Sequence, residues 1–305
     1  MDRTKVAVEP RGTRSWLDGA VEAGGGEVAP PDEASGLVWG HHADPEGLEA
    51  LLDAHPNLAW VQLPWAGIEV YLDTVRRHGD RTWTCGKGVY ADPVAEHALA
   101  LALAGFRGLP AYAGRTTWSK QFGKNLLGAR VVVLGAGGIT ESFLRLLEPF
   151  GCDVTVVRRR PDNVEGARVV GLDQLDDALA GAELLVLALA LTPESRGIID
   201  GRRLRLLAPD AWVVNVARGA HVVTDELVEV LAEQAIGGAA LDVTDPEPLP
   251  DGHPLWAEPR CLITPHTANT IAMAEPLLRA RVSENVRRWI AGDDLVGPVD
   301  VAAGY

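Results

Sequence analysis

The stretch from Arg130 to Pro161 constrains this chain most, because it reads as strand, tight turn, helix and strand in immediate succession. Val131, Val132, Val133 and Leu134 form an unbroken apolar run, the pattern of a parallel strand buried on both faces. The turn Gly135-Ala136-Gly137-Gly138-Ile139-Thr140 follows at once. Ile139, Phe143, Leu147 and Phe150 then recur at helical spacing, and Gly151 stops the helix. A second apolar run, Val154 to Val157, ends in Arg158-Arg159-Arg160-Pro161. Glycines in the turn let the backbone bend sharply and approach a pyrophosphate, whose charge then sits at a helix N-terminus. A lone G-x-G says little; between a buried strand and an amphipathic helix it points to a dinucleotide site rather than a plain strand-to-helix turn.

Two departures from the usual pattern set the details. Thr140 stands where a third Gly or Ala is customary, so the helix is expected to pack slightly farther from its strand. Arg158 ends the second strand, where an acidic residue would hold a ribose 2′-hydroxyl. A guanidinium there, with Arg159 behind it, can pair bidentately with a 2′-phosphate that a carboxylate would repel. NADP(H) is therefore the preferred cofactor expected, with NAD(H) as the alternative.

A chain of 305 residues is long enough for two domains at ~150 residues each. The formal net charge of −14 argues against nucleic acid or an anionic membrane as partner, so an anionic substrate has to be held by a local basic residue. Cys85, Cys152 and Cys261 lie far apart with no C-x-x-C, which suits a reducing cytoplasm and offers no metal or disulfide framework. No secretory signal is visible after Met1-Asp2-Arg3-Thr4-Lys5, and the apolar runs near Leu99 and Leu184 are too short to span a bilayer. A soluble, cytoplasmic protein is expected.

Up to about Asp92, Val6 to Val8, Leu37 to Trp39, Trp60 to Leu63 and Thr82 to Cys85 look like strands, and Glu46 to Ala54 and Ile68 to Arg77 like helices. Gly24 to Gly26 and Pro30-Pro31 are expected to be surface turns. A long helix from about Pro93 to Phe106, apolar nearly all round, is expected to be buried between domains or against another subunit. Its Glu96-His97 pair reads as solvated or capping polar groups rather than an acid–base couple. Further strands follow at Leu184 to Ala190, Ala211 to Val216, Ala239 to Asp242 and Cys261 to Thr264, with helices at Leu175 to Ala180, Asp225 to Gln234 and about Ala272 to Ile290. The fold class is thus α/β: two Rossmann-like or flavodoxin-like doubly wound parallel-sheet domains with a cleft between them. Residues 1–92 and 272–305 are expected to form the substrate-binding (catalytic) domain and residues 93–271 the dinucleotide-binding domain.

Three polar residues sit just past strand ends, where ligands bind in such folds. Arg218, followed by Gly219, can present its fork to a carboxylate. Glu247 is held between Pro246 and Pro248. His266 precedes the last helix, and a carboxylate beside an imidazole keeps it able to donate a proton near neutral pH. Singly, each suits a structural role; together, in register with the glycine turn, they suggest a catalytic set.

Gly135 to Ile139, Asn215 to Gly219, Ala240 to Pro250 and Thr264 to Thr270 resemble, in order and spacing, the D-isomer-specific 2-hydroxyacid dehydrogenases. Trp60 to Gln62, Ala66 to Ile68 and Gly88 to His97 match as well. The resemblance implies that Arg218 binds the substrate carboxylate and carbonyl, that His266 is the acid/base and that Glu247 supports it. It also implies that Asp242 meets the nicotinamide carboxamide, that Thr192 and Val216 line the cofactor site beside Gly135, Gly137, Gly138 and Ile139, and that the amides of Ala66, Gly67 and Ile68 take the substrate carboxylate. Ala190 stands where the family's cofactor loop usually has Pro, which leaves that loop's rigidity open. Reduction of a small 2-keto acid of the glyoxylate or hydroxypyruvate type is the activity expected. An NAD-linked D-2-hydroxyacid or 3-phosphoglycerate dehydrogenase, or a non-catalytic nucleotide-sensing corepressor, is the alternative. A homodimer through the cofactor domains, with Leu109 to Lys124 and Trp118 as its arm, is also implied.

Overall fold

Twelve short strands form two sheets in which every strand pairing is parallel. The computed structural model describes residues 3–160 and 162–301; Met1, Asp2, Pro161 and residues 302–305, which include parts of the N-terminal and Arg158 readings, lie outside them. The chain divides into two compact units, Met1–Tyr90 with Thr270–Tyr305, and Ala91–Asn269.

The first unit holds β1 (Lys5–Glu9), β2 (Glu27–Val28), β3 (Gly36–Trp39), β4 (Trp60–Gln62) and β5 (Thr82–Thr84) in the order 2-1-3-4-5, the flavodoxin-like arrangement. One face of this sheet carries a core of apolar residues, among them Leu37, Leu48, Leu52, Val61 and Tyr71, all essentially inaccessible to water. The helix Ile271–Ala291 belongs to this unit because buried polar atoms tie it to the sheet. Asn285 Nδ2 donates to Gln62 Oε1 at 2.7 Å, which also accepts from Thr84 Oγ1 at 2.9 Å. Gly24 and Gly25 form the expected turn, with Gly25 exposed at φ +90°, but Gly24 and Gly26 are buried: a Cβ on Gly24 would lie 2.6 Å from the Ser283 carbonyl and one on Gly26 3.0 Å from Val286. Turn geometry requires glycine at Gly25, and close approach of that C-terminal helix requires it at Gly24 and Gly26.

The second unit holds β6 (Arg130–Leu134), β7 (Asp153–Val157), β8 (Arg168–Val170), β9 (Leu184–Leu187), β10 (Trp212–Asn215), β11 (Gly238–Leu241) and β12 (Cys261–Ile263). Their order, 12-11-10-9-6-7-8, is the doubly wound Rossmann arrangement with one strand added at an edge. The order reverses between β6 and β9, so the turn at Gly135 lies at the switch point where such sheets take ligands. Within its own unit the helix Ala91–Phe106 packs on the helix Gly138–Leu147 and on β10 and β11. Val94, Ala95, Ala98, Leu101 and Ala102 are buried, while Glu96 and the apolar Ala100 are exposed. Among the described residues no helix is long and apolar enough to cross a membrane.

Candidate active site

The second unit gathers polar side chains at the carboxyl ends of β6, β9, β10, β11 and β12. At the first of these, Gly135 has φ +101°, and a Cβ there would lie 2.2 Å from the Ala188 carbonyl at the end of β9. Only glycine lets the two strand ends come this close. Gly137 is the N-cap of the helix Gly138–Leu147; no side chain caps it, and a Cβ added to Gly137 meets nothing within 4 Å. An uncapped helix N-terminus facing open space is what a pyrophosphate requires, so these residues fit a dinucleotide. Ile139 lies in the first turn of that helix. Thr140 is fully buried, and its hydroxyl donates to the Gly135 carbonyl at 2.9 Å, closing the turn with a bond that Gly or Ala would lack.

Arg158 directly follows β7, and its guanidinium is 3.7 Å from Asp162. An exposed pair of this kind is worth under ~1 kcal/mol and yields readily to a phosphate. Arg159 beside it is exposed. The loop carrying Thr192 is pinned by Ser195, whose hydroxyl accepts from the Thr192 amide at 2.8 Å and donates to the Ala190 carbonyl at 2.9 Å. Rigidity that proline usually gives this loop is thus supplied by a buried serine.

Past β10, Val216 is buried and Asn215 braces the following loop, accepting from the Ala217 amide at 3.0 Å and donating to the Arg218 carbonyl at 2.9 Å. This holds the Arg218 backbone extended, with its half-buried guanidinium donating to the Ala217 carbonyl at 2.7 Å. A Cβ on Gly219 would lie 1.9 Å from the Thr244 carbonyl carbon, so this glycine lets the Arg218 loop and the Glu247 loop meet.

Glu247 Oε1 then lies 2.7 Å from His266 Nδ1. That contact raises the His266 pKa above its ordinary range, against opposing effects of burial and of the Arg218 charge. The same contact lowers Glu247, with burial opposing it and the Arg218 charge helping. Arg218, Glu247 and His266 are therefore brought into one electrostatic group. His266 adopts φ +49°, an uncommon left-handed backbone for a residue other than glycine. Its amide donates to the Asp242 carbonyl at 2.8 Å.

Asp242, just past β11 and 2% exposed, holds the same loop through its carboxylate. It accepts from Thr264 Oγ1 at 2.6 Å and from the amides of Thr267 at 2.8 Å and Ala268 at 3.0 Å. Burial pushes its pKa up, but these bonds and His97 outweigh it and keep the carboxyl below its usual range. His97 Nε2 stands 3.0 Å from Thr264 Oγ1 and 3.3 Å from Asp242 Oδ1, so it is engaged with the loop instead of solvated as expected. Its place three residues after buried Val94 and four before buried Leu101, on the inward face of the helix, was the available signal.

Ala66, Gly67 and Ile68 belong to the first unit, in the loop after β4. Among the described residues their three amides donate to no acceptor, which leaves consecutive N–H groups for an anion.

Residues 99–268 match the family model described as "D-isomer specific 2-hydroxyacid dehydrogenase, NAD binding domain". A protein of Yersinia enterocolitica named glyoxylate/hydroxypyruvate reductase A is 31% identical over 92% of this chain and 90% of its own length. A D-isomer specific 2-hydroxyacid dehydrogenase from Xanthobacter autotrophicus Py2, solved with NADPH and MES, has 29% identity and a TM-score of 0.84, covering 100% of both chains. An NADPH-dependent glyoxylate/hydroxypyruvate reductase from Sinorhizobium meliloti, solved with NADP and sulfate, has 25% identity and a TM-score of 0.81, covering 99% of this chain and 100% of its own.

Proposed function

The chain belongs to the D-isomer specific 2-hydroxyacid dehydrogenase family, and from that premise we propose that it reduces glyoxylate, hydroxypyruvate or a similar small 2-keto acid, preferring NADPH. The observation that carries this is the Glu247–His266 contact at 2.7 Å, in electrostatic reach of Arg218 and just past strands of a Rossmann sheet. NADPH bound to the relative from Xanthobacter, NADP bound to the one from Sinorhizobium, and the names of the reductases above support both the cofactor and the substrate class.

The turn from Gly135 to Ile139, with Gly137 and Gly138 at the helix start, would hold the pyrophosphate, and Arg158 with Arg159 the 2′-phosphate. Thr192 and Val216 would flank the cofactor. Thr264, the Thr267 amide and His97 crowd Asp242 Oδ1, whereas Oδ2 accepts only from the Ala268 amide among the described residues, so Oδ2 keeps a lone pair for a carboxamide N–H. When bound, the reduced nicotinamide supplies the hydride. Arg218 would hold the substrate carboxylate and draw negative charge onto the carbonyl oxygen, with the amides of Ala66, Gly67 and Ile68 as further donors. His266, kept protonated by Glu247, would deliver a proton from Nε2 to that oxygen, and Glu247 would fix the Nδ1–H tautomer. We assign residues 93–271 the dinucleotide and the remainder the substrate amides.

All three cysteines are free thiols, which supports a reducing, cytoplasmic setting. We also propose a homodimer through the segment from Leu109 to Lys124. There Trp118 is 96% exposed, and Tyr112 and Phe122 stack 4.2 Å apart. Light scattering tests this; a monomer at micromolar concentration refutes it. The activity is tested with a panel of keto acids and both cofactors, followed by nicotinamide absorbance. NADPH consumption with glyoxylate or hydroxypyruvate is expected, and inertness toward every keto acid would refute the proposal.

A further inference from the structure

In the first unit the strand order 2-1-3-4-5 reverses between β1 and β3, so the loops after those strands mark the edge where such sheets take small ligands. Arg14 lies in the loop after β1, and its guanidinium is 4.8 Å from the centroid of the Trp65 ring. Trp65 immediately precedes the free amides of Ala66, Gly67 and Ile68. The Trp65 carbonyl accepts from the Gly86 amide at 2.9 Å, and its ring packs 5.5 Å from that of Tyr90, whose hydroxyl donates to the Pro64 carbonyl at 2.7 Å. Arg14 is half-buried, and burial lowers its pKa, although a guanidinium stays charged in proteins.

Arg11, in the same loop, is paired with Glu9 at 3.5 Å and with Asp18 at 3.7 Å. Arg14 by contrast has no carboxylate within 4.0 Å and donates no hydrogen bond among the described residues. A partly desolvated cation, held over an aromatic ring and with its fork unused, is stabilised most by an anion brought to it. On the keto-acid reading above, the row of amides that follows Trp65 takes one carboxylate.

We propose that Arg14 receives a second carboxylate on the substrate, so that this chain selects 2-keto dicarboxylic acids over keto acids of the same length with an uncharged end. The assignment rests on the keto-acid reading above. A planar fork suits a carboxylate better than a tetrahedral phosphate dianion, which calls for more than one cation.

Calorimetric titration of the full chain with NADP+ present compares D-malate with D-2-hydroxybutyrate. D-malate is expected to bind at least about tenfold tighter, the effect of one charge-assisted hydrogen bond. In Arg14→Met that preference is expected to fall to about twofold or less, and Arg14→Lys, which keeps the charge but not the fork, to restore part of it. Equal binding by the wild type, or a preference that survives Arg14→Met in protein with an unchanged unfolding midpoint, would overturn the proposal. Turnover separates it from the broader reading. Oxaloacetate and 2-oxobutyrate reduced with equal kcat/KM overturns Arg14 alone, whereas no keto acid reduced at all refutes the reductase assignment, with the D-malate titration still deciding Arg14. The Arg14→Met loss is expected in KM for oxaloacetate and not in kcat. A phosphorylated keto acid preferred over oxaloacetate would overturn the carboxylate assignment.

Discussion

Replacing Glu247 with Gln keeps the shape of the side chain and removes the charge facing the His266 ring. The two groups are 2.7 Å apart, and this contact is the largest of the influences raising the imidazole pKa above its ordinary 6.5. A charge-assisted hydrogen bond contributes ~1.5–3 kcal/mol when sheltered. Here the side chains are 54% and 42% exposed, so solvent screening reduces that to about 1 kcal/mol, roughly a fivefold effect. Reduction needs protonated His266, so kcat/KM should fall as pH rises through its pKa. In Glu247→Gln that fall is expected at lower pH, with the rate at neutral pH reduced about fivefold or more. Stability supplies an independent readout. Glu247, lowered, stabilises the fold above its ordinary 4.5, and this is lost as pH falls through its folded value. His266, raised, stabilises fully below 6.5, and this is lost as pH rises through its folded value. The difference in unfolding midpoint between wild type and variant should therefore be greatest between pH 4.5 and 6.5. A pH–rate profile in Glu247→Gln that coincides with the wild type would refute the electrostatic coupling.

Three further substitutions probe other parts of the site. Arg158→Asp should move the ratio of NADPH to NADH efficiency toward NADH by at least about tenfold, as expected for losing a charge-assisted bond; an unchanged ratio in steady-state kinetics contradicts the 2′-phosphate assignment. Gly219→Ala forces a methyl against the Thr244 carbonyl, and overpacking of that kind costs about 1–3 kcal/mol. Its unfolding midpoint and its activity should both drop, and a variant equal to wild type in both refutes the close approach as a requirement. His97→Ala removes a support of the Thr264–Asp242 pair, so kcat should fall about tenfold or less with NADPH affinity held. A loss confined to NADPH binding would show that His97 does not act through the His266 loop.

Strands were legible where burial on both faces writes an unbroken apolar run, as from Val131 to Leu134, and the glycine turn was legible because it follows such a run directly. Partners were not. Glu247 and His266 are 19 residues apart, and His97 and Thr264 are 167 apart; nothing local specifies either distance. Only the crossing of loops at Gly219 and the ordering of parallel strands bring them together. The helix Ala91–Phe106 shows the same limit: its apolar face was evident, but which surface covers it depends on β10 and β11, more than a hundred residues onward. Gly24 to Gly26 showed their turn but not their burial, because glycine permits both a turn and a close helix approach, and the sequence does not say that both apply. Short edge strands such as β2 and β8 carry too few residues to show any period.

Single-turnover oxidation of bound NADPH by glyoxylate or hydroxypyruvate, in the wild type and in His266→Asn, bears most directly on the catalytic set. Loss of a general acid should slow the variant by about 10²-fold or more while NADPH fluorescence titration gives an unchanged affinity. Equal turnover rates in the two proteins, with binding intact, would remove the imidazole from the chemistry and the account with it.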